Sequence, residues 1–199
     1  MPTQNDDFFK SVEEYEESTP MRKTYNHPLP AKTKTIINAC ISLFEVIGGL
    51  ASIVITAFLF FPSIFPQLSG NFPINIKIFL IFIIIFVLLI YLLDITGGIL
   101  LWKNKKSGYI LSIIAQSFQI PVFALAGLYY SIASGIYLTG FISTSSISDA
   151  WRAAFNLGIG GFWKIYYTPG DYTFMVGINI IALIIFSYLI IDYPKKDKR

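Results

Sequence analysis

The sequence predicts an all-α fold: a polytopic membrane protein built as an antiparallel bundle of four transmembrane helices, with a short interfacial helix in the outer loop. Three observations predict it. The chain is 54% hydrophobic and only 14% charged, against about 25% charged in soluble domains. Its mean hydropathy is +0.62. Its apolar residues fall into runs long enough to cross a bilayer, and the basic residues gather at the ends of those runs.

Residues 1–34 read as a flexible tail, acidic and then basic. Glu13, Glu14, Glu16 and Glu17 surround Tyr15, and Arg22, Lys23, Lys32 and Lys34 lead into the first apolar run. The acidic opening argues against a cleavable signal peptide, so the first span is expected to act as an uncleaved anchor. Residues 35–193 form the transmembrane domain. Its first span covers about 36–61, and Pro62, Pro66, Gly70 and Pro73 then mark an irregular connection. The second span covers about 76–102 and closes on Trp102, where an interfacial aromatic belongs. Lys103 to Gly108 is a tight basic turn, so the spans on either side must be antiparallel neighbours. The third span is expected over about 109–140, long enough to tilt or to kink at Pro121. Residues 141–171 are expected to make a compact outer cap. Within it Ser148 N-caps a short helix over Asp149–Leu157, and Phe162–Tyr167 can be extended. The last span covers about 172–193, and residues 194–199 form a basic tail.

Orientation follows from charge. Both termini and the turn at Lys103–Lys106 carry most of the basic residues, while the opposite side holds Lys77, Arg152 and Lys164. The positive-inside rule makes the first side cytoplasmic, which suits a plasma (inner) membrane protein with both termini inside.

Each span brings a polar side chain to a similar depth, roughly 12–20 Å above the inner interface at 1.5 Å per residue. This candidate layer comprises Glu45, Asp94, Gln116, Gln119 and Asn179. On the first span Asn38, Ser42, Glu45, Gly49, Ser52 and Thr56 recur at spacings of three and four, so they share one face. Such a stripe turns inward. No Lys or Arg in the spans can neutralise the two acids. They are expected either to fix helix register or to carry protons or a cation. Glu45-Val46-Ile47-Gly48-Gly49 and Asp94-Ile95-Thr96-Gly97-Gly98 share one pattern. Five residues are too few to establish a repeat, but such glycines let helix backbones approach closely. Gly127, Ser131 and Gly135, each four apart, suggest a second packing seam. Trp102, Trp151, Phe155 and Trp163 are candidate interfacial anchors.

Cys40 is the only cysteine and His27 the only histidine, which leaves no intramolecular disulfide, zinc pattern or triad. Gly158-Ile159-Gly160-Gly161 lacks the strand-then-helix context of a nucleotide loop and reads as a bend. No cofactor, metal or nucleic acid is expected. The expected partners are the lipid bilayer and either a second copy or another membrane protein. The leading functional expectation is a structural or accessory membrane protein. The alternative is a proton- or cation-coupled transporter or channel using the acid pair; a membrane enzyme acting on lipid or quinone ranks below both.

Overall fold

The computed structural model describes residues 31–60, 62, 69–70, 73–145, 148–167 and 173–193. The acidic tail, most of the connection after the first span, residues 146–147 and 168–172 and the basic tail at 194–199 lie outside the described residues. By contacts the chain divides into Met1–Lys34 and a compact body, Thr35–Arg199.

Helix α1 runs Ala31–Ile55 and ends in a π-helical turn, Thr56–Phe60. Helix α2 runs Ile74–Trp102. Both are long and apolar enough to cross a membrane. A three-residue turn follows, with Asn104 at positive φ, and α3 occupies Lys106–Gln119. The chain then leaves the expected fold. Strands β1 (Pro121–Leu125), β2 (Leu128–Ala133), β3 (Ile136–Ser145), β4 (Ser148–Ile159), β5 (Phe162–Tyr167) and β6 (Phe174–Asn179) precede α4, Ile180–Asp192.

This overturns the all-α four-helix bundle. The third apolar run, expected as helix to about 140, is helical only to Gln119. Pro121 has no N–H to donate, and the residues beyond it are rich in β-branched and aromatic types such as Tyr129, Tyr130, Ile132 and Tyr137. The expected interfacial helix over Asp149–Leu157 is instead strand β4. Trp151 and Phe155 still share a face, because a spacing of four suits period 2 as well as period 3.6. The extended stretch at Phe162–Tyr167 is β5. The last span is helical only from Ile180, where the Asn179 side chain accepts from the Ala182 N–H as the N-cap. At 1.5 Å per residue α3 and α4 are about 20 Å long, too short to cross a 30 Å core alone. Each hands over almost directly to a strand, and those strands, β1 and β6, pair antiparallel.

The sheet has the order β4-β3-β6-β1-β2-β5. Two links dictate its shape. Strands β2 and β3 lie about 14 Å apart in a flat sheet, at 4.8 Å per strand. Only Ser134 and Gly135 join them, and three Cα steps reach at most about 11 Å. Strands β4 and β5 are the opposite edges, yet only Gly160 and Gly161 join them. The sheet must therefore curl until these ends meet. They do: Gly160 N–H donates to Gly135 O at 2.6 Å, and the Tyr137 ring stacks on Phe162 with centroids 5.7 Å apart. Gly135 and Gly160 have φ of 70° and 106°, which an L side chain rarely adopts. At the other end, Ala126 and Gly127 both have positive φ and close a two-residue β1–β2 hairpin, as a type I′ turn requires.

The closed end of the curl presses on α1. A Cβ on Gly48 would lie 2.8 Å from Gly135 Cα, and one on Gly161 would overlap Ser52. Beside it, Ile132 and Trp163 pack on Ile83, Val87, Ile90 and Tyr91 of α2. Trp163 is thus a core residue, not the interfacial anchor expected of it. Trp102, Trp151 and Phe155 are exposed. The expected seam of Gly127, Ser131 and Gly135 does not lie on one helix: these residues occupy a hairpin turn, strand β2 and the β2–β3 link.

Candidate functional site

The polar stripe of α1 faces inward as its periodicity predicts. Asn38, Ser42, Glu45, Ser52 and Thr56 are buried, and so are Gly48 and Gly49. Helix α2 turns Asp94, Gly97 and Gly98 toward it, and α3 contributes Ser112, Gln116 and Gln119, all buried. The two acid-x-x-Gly-Gly stretches pack against each other. A Cβ on Gly98 would lie 3.1 Å from Glu45 Cβ, and one on Gly49 would lie 3.4 Å from Asp94 Cβ. Each acid therefore stands over the second glycine of the other motif. Their antiparallel crossing makes this exchange reciprocal.

The first glycines complete the pattern. Gly97 lies against Ser112, whose hydroxyl donates to Glu45 Oε2 at 2.6 Å. Gly48 lies against the Ser134–Gly135 link, and the Ser134 hydroxyl lies 2.6 Å from Asp94 Oδ2. So the glycine beside one acid makes room for the serine that serves the other. Each acid also receives one amide: Gln116 Nε2 donates to Glu45 Oε1 at 3.2 Å, and Gln119 Nε2 to Asp94 Oδ2 at 2.7 Å. Gln119 is fixed in turn, because its Oε1 accepts from Ser134 N–H at 3.0 Å. Each carboxyl has one serine and one glutamine.

The electrostatics are one-sided. The sequence has no Lys, Arg or His at 35–76, 78–102 or 107–151, so no cation on α1, α2 or α3 stands at the acids' level. Glu45, Asp94 and Ser112 are fully buried, with Gln116 and Gln119 only 1% exposed. Burial takes water away from both carboxyls, and neither has a basic partner at its level. Asp94 Oδ1 is buried and has no hydrogen-bond partner.

Of the residues expected in the layer, Glu45, Asp94, Gln116 and Gln119 come together. Asn179 does not; it is buried at the start of α4 as a helix cap. Ser134 is the member that sequence reasoning missed, having been placed near the outer end of a long helix. Its signal exists only in three dimensions, since the curl of the sheet carries it between the helices.

A second polar cluster joins α1, α3 and α4 at their other end. Asn38 Nδ2 donates to the Tyr109 hydroxyl at 2.7 Å, which donates to Asp192 Oδ2 at 3.0 Å, while the Tyr188 hydroxyl donates to Asn38 Oδ1 at 3.1 Å. These bonds tie the short helices to α1.

Compared with known protein families, curated proteins and solved structures, the chain matches none.

Proposed function

We propose that this chain is an integral membrane protein with a structural or accessory role, a helical body that holds a curled sheet among lipids. The observation that carries this is inverted polarity. Helix α1 buries Asn38, Ser42, Glu45, Ser52 and Thr56 and exposes Leu43, Ile47, Leu50, Val54 and Phe58. In water this arrangement would be backwards, whereas lipid requires it. Helix α2 and the outer face of β6, with Phe174, Val176 and Ile178, are equally apolar and exposed. The placement of basic residues favours an inner-membrane protein with the α2–α3 turn on the cytoplasmic side.

The lone cysteine tests this reading in the native chain. Cys40 is exposed on α1, about 14 Å along the helix from Ala31. A charged, membrane-impermeant maleimide should leave it unmodified in intact vesicles and label it fully in denaturing detergent. Equal labelling in both would refute the membrane placement.

A second reading is proton- or cation-coupled transport, favoured by the acid pair that lacks a basic partner. An acid inside a membrane-spanning helix is costly and is a functional candidate for that reason. Proteoliposomes holding a pH-sensitive dye and driven by a potassium diffusion potential should then acidify. Asp94→Asn should lower the rate by at least about tenfold, the loss expected when an essential proton carrier is removed. A wild-type rate equal to that of empty liposomes would dismiss proton transport.

A further inference from the structure

The two acids offer four oxygens, and the donors around them do not cover all four. Ser112 reaches Glu45 Oε2 and Gln116 reaches Glu45 Oε1. Ser134 and Gln119 both converge on Asp94 Oδ2. The fourth oxygen, Asp94 Oδ1, is buried with no donor. A bare anionic oxygen in that position would carry its full desolvation penalty. The same oxygen bearing hydrogen is neutral and far less costly to bury.

We propose that Glu45 and Asp94 form a proton-binding site that holds one exchangeable proton, carried on Asp94 Oδ1 in this conformation while Glu45 is the ionised partner. The assignment deepens the transport reading, on which it rests for its purpose but not for its chemistry. Release breaks the O–H bond at Asp94, leaves a carboxylate and passes the proton to water; uptake reverses this, and no other bond changes.

The surroundings select a proton over a metal ion. Gln119 must turn its Nε2 to Asp94, because Ser134 N–H holds its Oε1. The amide of Gln116 also donates to Glu45, so an entering cation would meet amide donors where it needs acceptors. Among the described residues no group of three or more His, Cys, Asp or Glu is placed to hold a metal.

The neighbouring groups do not supply a competing charge. On α1 only Glu45 itself faces the pair. Helix α2 adds Tyr91, one turn from Asp94, whose hydroxyl lies 3.5 Å from the carbonyls of Ala133 and Phe162. Helix α3 adds Tyr109, one turn from Ser112, and that hydroxyl is engaged with Asp192 of α4. The β2–β3 link adds only Ser134. On β5, the Lys164 ammonium stands over the rings of Tyr129 and Phe162.

Infrared spectroscopy of the full chain in lipid reads this directly. The wild type should show a protonated-carboxyl C=O band at neutral pH, where exposed carboxylates are ionised. The band should shift in deuterated buffer and be lost at alkaline pH while the amide bands stay native. Asp94→Asn should abolish it, and Glu45→Gln should retain it. A neutral-pH spectrum without the band, a band unchanged by deuteration and alkali, or a band untouched in Asp94→Asn would each overturn the assignment. If Asp94→Asn does not fold, the wild-type titration and its deuterium shift decide alone. Absence of proteoliposome flux with the band present and exchanging would remove the transport reading and leave the proton site standing.

Discussion

Gly98→Leu should cost about 3 kcal/mol of stability or more, near the upper end of overpacking effects. At this position even a Cβ would lie 2.8 Å from Ser42 O and 2.9 Å from Val46 Cγ2. The first of these is backbone and cannot swing aside. Helices α1 and α2 must separate to admit the side chain, and Glu45 then loses its place over the crossing. Thermal unfolding in detergent measures this, with Ile184→Leu on the exposed face of α4 as the control for a change without consequence. A midpoint within experimental error of wild type would mean that the two helices do not meet at this glycine. The paired change Gly49→Leu should behave similarly, because a Cβ there would lie 2.9 Å from Tyr91 O.

Glu45→Ala and Glu45→Gln should diverge. The alanine variant removes the acceptor of both Ser112 and Gln116 and leaves a void in a packed core. Together these should cost about 2–4 kcal/mol. The glutamine variant keeps the volume and one acceptor, and the Ser112 hydroxyl can rotate to accept from the new amide. It also removes the charge that burial penalises, so stability should change by less than about 1 kcal/mol and can rise. Denaturant or thermal titration of both variants checks the difference. Equal damage in the two would show that the charge of Glu45, rather than its shape and hydrogen bonds, holds the crossing together.

Much of the site was legible in one dimension because α-helical periodicity is local. Asn38, Ser42, Glu45, Gly49, Ser52 and Thr56 repeat at three and four, and the structure buries all of them on one face. The same holds for Ser112, Gln116 and Gln119 along α3. The glycine pairs could be seen as text, and their role in close approach follows from having no side chain. Their reciprocity could not. It depends on α1 and α2 crossing so that Glu45 meets Gly98 while Asp94 meets Gly49, and that register is a property of two helices at once.

The stretch after Gln119 shows where apolar content stops being informative. Residues 121–145 are hydrophobic enough for a membrane helix, and hydrophobicity alone does not separate a buried strand from a buried helix. Pro121 and the β-branched and aromatic residues after it carried the local hint of strand. Non-local hydrogen bonds between β1 and β6, and between β3 and its neighbours β4 and β6, turned that hint into a sheet.

By itself, then, the sequence determined the apolar character of the chain, the long helices α1 and α2, the tight basic turn after them and the inward face of each polar stripe. All of these depend on residues within a few turns of one another. Tertiary structure alone decided that the third and fourth apolar runs are half helix and half strand, that the sheet curls through the links at Ser134–Gly135 and Gly160–Gly161, and that Ser134 reaches Asp94. Those outcomes rest on contacts between residues far apart in the chain, whose free energy exists only once the partners have been brought together.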